Sequence, residues 1–249
     1  VKIQTNSGRK VIEIEAKYII SDTRMQVFIP QGINPKGGLI KISINFSFIA
    51  PNQGSDRMGV LETKNGKIFT IAQWYPRMCV YDDINGWNTN PYLGASEFYL
   101  EYGDFDINIT APENHIVVCS GELLNTTAVY SSEEQERLEN AKKSDETVFI
   151  RTASEVERLA KTISLKNKTW HFKINNARDV SWASSSSFIL DAAKINLPSG
   201  KKSLAVSAYP IESIGNDAWG RSTEMTKAVI ENYSKRWFEY PYPEAVNAA

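Results

Sequence analysis

Strict alternation of apolar and polar residues constrains this chain more than any other feature. In Ile12, Ile14, Ala16, Tyr18 and Ile20 the apolar positions share one side of an extended chain, and Glu13, Glu15 and Lys17 share the other. The pattern repeats in Ile40, Ile42, Ile44, Phe46 and Phe48, with Lys41, Ser43, Asn45 and Ser47 opposite. A period of two scatters apolar groups around a helix but gathers them on one face of a sheet, so the first half reads as strands. A short strand is expected around Met25 to Ile29, closed by the turn signals Pro30-Gln31-Gly32 and Pro35-Lys36-Gly37-Gly38. Asn65-Gly66 predicts a hairpin feeding a strand from Lys67 to Gln73, because both residues tolerate positive φ. Further strands are expected at Glu97–Tyr102, Phe105–Thr110, His115–Cys119, Thr147–Thr152, Thr169–Ile174, Val180–Leu190 (broken within Ser184–Ser187) and Leu204–Tyr209.

Helices are few. Ser131-x-x-Glu134 and Ser132-x-x-Gln135 are capping boxes opening a short polar helix to about Lys142, and Thr152-x-x-Glu155 starts another. A longer helix over Thr223–Phe238, capped by Ser222 or Thr223, places Met225, Val229, Tyr233 and Trp237 on one face and stops before Tyr240-Pro241-Tyr242-Pro243. Such a stripe is expected to pack on a layer, and Glu244 to Ala249 reads as the start of another strand. The fold class is therefore mainly β: an antiparallel, sandwich-like or saddle-like domain over residues 1–200, then a strand and one long helix over 201–249 that open a different domain.

Composition narrows the chemistry. The 28 Lys+Arg against 29 Asp+Glu leave a net charge of -1, against a nucleic-acid binder that works by neutralising phosphates. No apolar run approaches the roughly 18 residues of a membrane helix. Cys79 and Cys119 allow at most one bridge, and the only histidines, His115 and His171, lie far apart with no partner at metal-ligand spacing. No zinc site and no catalytic set is expected within this chain. Paired carboxylates could hydrolyse glycosides, and Asp82-Asp83 and the group Glu97, Glu101, Asp104 and Asp106 are candidates. Acidic residues beside Asn85-Gly86 are equally turn formers, whose side chains bond their own backbone. Trp74, Trp87 and Tyr92 would suit a sugar-binding face, so a free-standing carbohydrate-binding module is the alternative class.

The densest segment runs Gln73-Trp74-Tyr75-Pro76-Arg77-Met78-Cys79-Val80-Tyr81-Asp82-Asp83, followed by Gly86-Trp87-Asn88 and Pro91-Tyr92-Leu93-Gly94. With Glu97 to Phe105, Ile116 to Leu123 and Ala218-Trp219-Gly220-Arg221-Ser222-Thr223-Glu224, it resembles the N-terminal β-domain of zinc aminopeptidases of the membrane-alanyl-aminopeptidase type (peptidase family M-one, gluzincins), in a bacterial branch. The likeness covers about residues 55 to 249. Gln73 matches the family's glutamine, Arg77 its arginine, and Tyr81-Asp82-Asp83 its aromatic-acidic step. The resemblance implies that Leu204–Tyr209 and Thr223–Phe238 are the first strand and helix of a thermolysin-like catalytic domain on which the β-domain packs. The Gly-x-Met-Glu segment and the zinc motif His-Glu-x-x-His would come later in the parent, which would take N-terminal residues from peptides with one zinc. It also implies that Gln73 reaches the first residue of a peptide substrate. Two positions on, relatives often carry Glu or Gln for the substrate's amine; here Tyr75 would line the first-residue pocket instead. Arg77 with Asp82 or Asp83 reads as a structural ion pair. The branch is often exported, which carries over as a periplasmic or secreted expectation.

Overall fold

The computed structural model describes all residues except 8, 9, 31, 53–56, 92, 95–97, 162–165 and 216, with backbone alone at 6, 7 and 10–12. In chain order the strands are β1 (Lys2–Ser7), β2 (Lys10–Glu15), β3 (Tyr18–Ser21), β4 (Arg24–Val27), β5 (Ile40–Ser43), β6 (Met58–Thr63), β7 (Gly66–Ile71), β8 (Tyr81–Asp82), β9 (Gly86–Trp87), β10 (Gly103–Pro112), β11 (Ile116–Cys119) and β12 (Glu122–Leu123). Helices α1 (Thr126–Val129) and α2 (Ser132–Ala141), strand β13 (Val148–Arg151) and helix α3 (Ala153–Ala160) follow. The chain continues through β14 (Asn167–Ala177), β15 (Trp182–Ser185), β16 (Phe188–Asn196), β17 (Lys202–Pro210), α4 (Ser222–Arg236) and β18 (Glu244–Ala248). The protein is mainly β, built from several antiparallel sheets.

Two compact units divide these elements: residues 1–49 with 75–101, and residues 50–74 with 102–249. In the first unit β1 is flanked by β2 and β5, and β3–β4 and β8–β9 form separate hairpins. Pairing of the Ile40–Phe48 segment with β1 stops at Lys2↔Ser43. Phe46 and Phe48 then stack on each other, rings 6.4 Å apart, instead of continuing the strand. Burial is thin here: Ile3 and Val80 are the fully buried apolar side chains among the described residues, while Ile14, Tyr18 and Ile20 are exposed. The turn expected at Pro30-Gln31-Gly32 involves Gln31, which lies outside the described residues, as do Tyr92 and Glu97. Residues 98–102 form no strand.

The second unit holds the large core. Alternation is clean in β10, whose Ile107, Ile109 and Ala111 are buried and whose intervening residues are exposed. Its partner β14 sets Phe172 opposite Ile107 and Trp170 opposite Ile109, so the two apolar faces coincide. The order β11-β15-β7-β6 forms a second sheet. Its β6–β7 hairpin turns through Lys64 and Asn65, one residue earlier than Asn65-Gly66 implies, with Thr63 opposite Gly66. Gly66 sits at φ 143°, and a Cβ there would meet Ser186 Oγ at 2.1 Å, so both conformation and contact require glycine. Ser186 Oγ donates to Asn65 O at 3.0 Å across the same contact.

A third sheet, β13-β16-β17-β18, has β16 and β17 buried along almost their whole length. Strand β18 lies parallel to β17, and the chain crosses between them through α4, a β-α-β unit. The helix packs on the sheet through Thr223, Ile230 and Ser234 rather than through its aromatic stripe. Met225, Val229, Tyr233 and Trp237 are 52%, 49%, 56% and 81% exposed. Neither Ser222 nor Thr223 caps this helix; the N-cap is Arg221, with no side-chain cap bond. The Thr223 hydroxyl lies 2.5 Å from both Asp191 Oδ1 and Ser207 Oγ, buried under the helix. Bonding a buried carboxylate holds that hydroxyl more strongly than capping an exposed first turn. Both expected short helices do carry full capping boxes, Ser131 with Glu134 and Thr152 with Glu155.

Candidate functional site

Gln73 stands just past the end of β7, half-buried, with its backbone in the left-handed region at φ 52°. A non-glycine residue pays about 1–2 kcal/mol for that conformation, since Cβ crowds the following carbonyl oxygen. Its neighbours fix the bend. Ala72 N donates to Arg57 O at 3.0 Å, and Trp74 Nε1 donates to Val180 O at 3.3 Å. Trp74 also meets Trp182 edge to face, ring centres 6.5 Å apart. A fixed residue on each side leaves Gln73 the strained one.

Ala72 lines a cleft of about 520 Å³ within the second unit. Its walls are the end of β7, the turn Cys119-Ser120-Gly121 after β11, Trp182 of β15, and alternate residues Glu244, Val246 and Ala248 of β18. Volumes of about 300–1,000 Å³ are usual for small-molecule sites. Tyr102, Tyr240 and Tyr242 add aromatic surface, and the charged side chains on the wall are Arg178, Asp179 and Glu244. Desolvation pushes the Glu244 carboxyl up to about 8, aided by the charge of Glu122 and opposed by Lys142. Burial likewise pushes the Cys119 thiol up to about 12, which leaves it a poor nucleophile.

Tyr75 belongs to the other unit. It is half-buried, and the Arg77 guanidinium lies 5.8 Å from its ring and 4.8 Å from the Phe98 ring. Arg77 therefore lies within cation–π distance of two aromatic rings. The Asp82 carboxylate is bound locally: its Oδ1 accepts from Ile84 N at 3.0 Å and Asn85 N at 2.6 Å. Those bonds, Asn85 first, hold its pKa below the usual carboxylate value. Asp82 is thus the turn former of the β8–β9 hairpin. Asp104 Oδ1 accepts from Asn176 N at 2.8 Å and Asp106 Oδ1 lies 2.9 Å from His171 Nε2, so these two aspartates tie β10 to β14.

Among the described residues no group of three or more His, Cys, Asp or Glu could hold a metal ion. His115 Nδ1 is 2.9 Å from Ser184 Oγ, and desolvation with the nearby Arg151 charge lowers its pKa. The two thiols are free, Cys79 exposed and Cys119 buried. For a sugar-binding face, Trp74 is occupied by Val180 and Trp182, while Trp87 is 53% exposed and set edge-on to Tyr81 at 5.2 Å. Sequence reasoning missed Glu244 and the cleft, because segments far apart in the chain build it. The signal available was a glutamate directly after Tyr242-Pro243 at the head of an apolar strand.

No protein-family model and no curated protein matches the chain. It is similar to a solved structure of a two-domain zinc metallopeptidase of family M-one, a glutamate-to-alanine variant bound to the amino acid L-tryptophan. The likeness has a TM-score of 0.45 at 12% identity and covers 100% of this chain but 47% of that one. The chain thus spans about half the length of that protein. No helix is long and apolar enough to cross a membrane among the described residues.

Proposed function

We propose that this chain is the non-catalytic N-terminal portion of a zinc aminopeptidase, dividing at about residue 200 into the β-domain and the opening strand and helix of the catalytic domain. In this reading Gln73 reaches the first residue of a peptide substrate, and Tyr75 contributes to the wall of its pocket. The observation that carries it is the φ of 52° at Gln73, a strained non-glycine at the position where the resemblance puts a substrate contact. The β17–α4–β18 unit supports the same reading, since strand, helix and strand follow in the order the resemblance implies. The exposed stripe Met225, Val229, Tyr233 and Trp237 then gains an occupant, the remainder of the catalytic domain. In this reading zinc and the reacting groups belong to the parent protein's other residues.

The test is Gln73→Ala in the parent enzyme. A lost hydrogen bond to a charged substrate group is worth about 1.5–3 kcal/mol, so kcat/KM for an aminoacyl anilide should fall about 10- to 150-fold with zinc content intact. Unchanged kinetics would return Gln73 to a purely structural role.

A further inference from the structure

Of the two carboxyls on the cleft wall, Asp179 accepts a hydrogen bond and that of Glu244 makes none among the described residues. Its backbone is committed: it pairs with Leu204 of β17, and its carbonyl accepts from Tyr240 OH at 2.8 Å. The other two charges are engaged. The Arg178 guanidinium lies over the Tyr102 ring at 5.1 Å, and Asp179 Oδ1 accepts from Val180 N at 2.8 Å. Behind Glu244 a small interior cavity of about 50 Å³ is lined by Glu122, Tyr130 and Lys142, so the residue stands between that void and the open cleft. Lys142 is the nearby cation, but its Nζ is bound to Glu139 at 2.7 Å.

The aromatic wall offers rings rather than hydroxyls. Tyr240 OH is spent on the Glu244 carbonyl and Tyr242 OH on Asn176 O at 2.9 Å, while the two rings meet edge to face at 5.6 Å. Aromatic faces beside a carboxyl with no hydrogen-bonded partner recognise an organic cation, which the ring quadrupole and the carboxylate attract together. Independently of the aminopeptidase reading, we propose that the cleft binds an organic ammonium ion with an apolar or aromatic body, Glu244 serving as its counter-ion against Trp182, Tyr240 and Tyr242.

The proton balance follows from the groups facing Glu244. Glu122 disfavours its charge and Lys142 favours it, Tyr130 and Cys119 are neutral with pKa values pushed upward, and Arg178 and Asp179 lie on the cleft side. The free carboxyl is therefore largely protonated at pH 7. Binding of the ammonium ion ionises it and sends its proton to solvent, leaving a neutral ion pair in the cleft.

Titration of the chain with benzylamine, benzyl alcohol and benzoate at pH 7, followed by calorimetry and by pH-stat in unbuffered salt, tests this. Benzylamine should bind with release of most of one proton, and benzyl alcohol and benzoate about tenfold or more weakly. Glu244→Gln should reduce benzylamine binding to the level of the alcohol. Equal binding of alcohol and amine, no proton release, absence of saturable benzylamine binding, or undiminished binding to a folded Glu244→Gln protein would each overturn the assignment. The proton count is read on the unaltered chain and needs no variant to fold.

Discussion

Replacing Glu134 with Gln should destabilise the second unit more than its small chemical change suggests. Glu134 Oε1 accepts from Arg151 Nε at 2.7 Å, and the two side chains are 6% and 4% exposed. Arg151 Nη1 also donates to Asn114 O at 3.0 Å, so the guanidinium is fixed in place by backbone as well. Glu134 Oε2 accepts from Ser131 N at 2.8 Å as half of the capping box. Gln keeps the shape but has one acceptor oxygen in place of two, so holding the cap bond turns its NH2 toward the Arg151 N–H and removes both the charge and that hydrogen bond. A buried arginine without its counter-ion costs about 3–5 kcal/mol. For a chain of this size each kcal/mol lowers the melting temperature by about 2–4 °C, giving a fall of about 6–20 °C at pH 7. Thermal unfolding by calorimetry reads the shift. The double change Glu134→Leu with Arg151→Met should recover much of the loss, because no charge is then buried unpaired. A single-variant shift below 2 °C, or a double variant no better than the single one, would refute the reasoning.

Gln73→Gly should raise stability by about 0.5–1 kcal/mol in urea unfolding, since glycine accepts φ 52° freely while adding some unfolded-chain entropy. The same change should impair hydrolysis by the parent; a glycine variant less stable than the wild type would show that Gln73 is not strained. Two carboxyls should shape the pH profile in opposite senses. Glu155 is pushed up by burial, but the Arg137 guanidinium and Thr152 hold it at about 2 against an ordinary 4.5, so its stabilisation is present above pH 4.5 and lost as pH falls through 2. Glu244, held at about 8 against 4.5, binds a proton the unfolded chain lacks, so stability should decline as pH rises from 4.5 to 8. Urea unfolding from pH 4 to 9 should show that decline in the wild type and a flatter profile in Glu244→Gln; identical slopes would remove Glu244 as its source.

What the sequence disclosed is what local physics decides. The alternation of Ile107, Ile109 and Ala111 gives β10 because the same positions are buried, and Ser131 and Thr152 cap their helices because the glutamates three residues on reach back. The misses involve partners remote in sequence. Phe46 and Phe48 alternate like strand residues, yet the pairing with β1 ends at Ser43 and the two rings stack on each other instead. Met225, Val229, Tyr233 and Trp237 form a helical stripe, but the buried Asp191 draws Thr223 inward and sets the opposite side of α4 on the sheet. Asp191 is also bound by Tyr209 OH at 2.6 Å, a polar network of β16, β17 and α4 that no periodicity announces. At the candidate site the motif singles out the Gln73 segment. Its backbone strain, and the cleft that joins Ala72 to Glu244, depend on long-range packing.

The central claim is that this chain is the non-catalytic part of a zinc aminopeptidase. Its most direct test is hydrolysis of an aminoacyl anilide, with zinc content, by the 249-residue chain and by its full-length parent. The expected result is no hydrolysis and no stoichiometric zinc from the chain alone, and chelator-sensitive hydrolysis from the parent. Hydrolysis or one bound zinc in the clean chain, or a parent with neither, would contradict it.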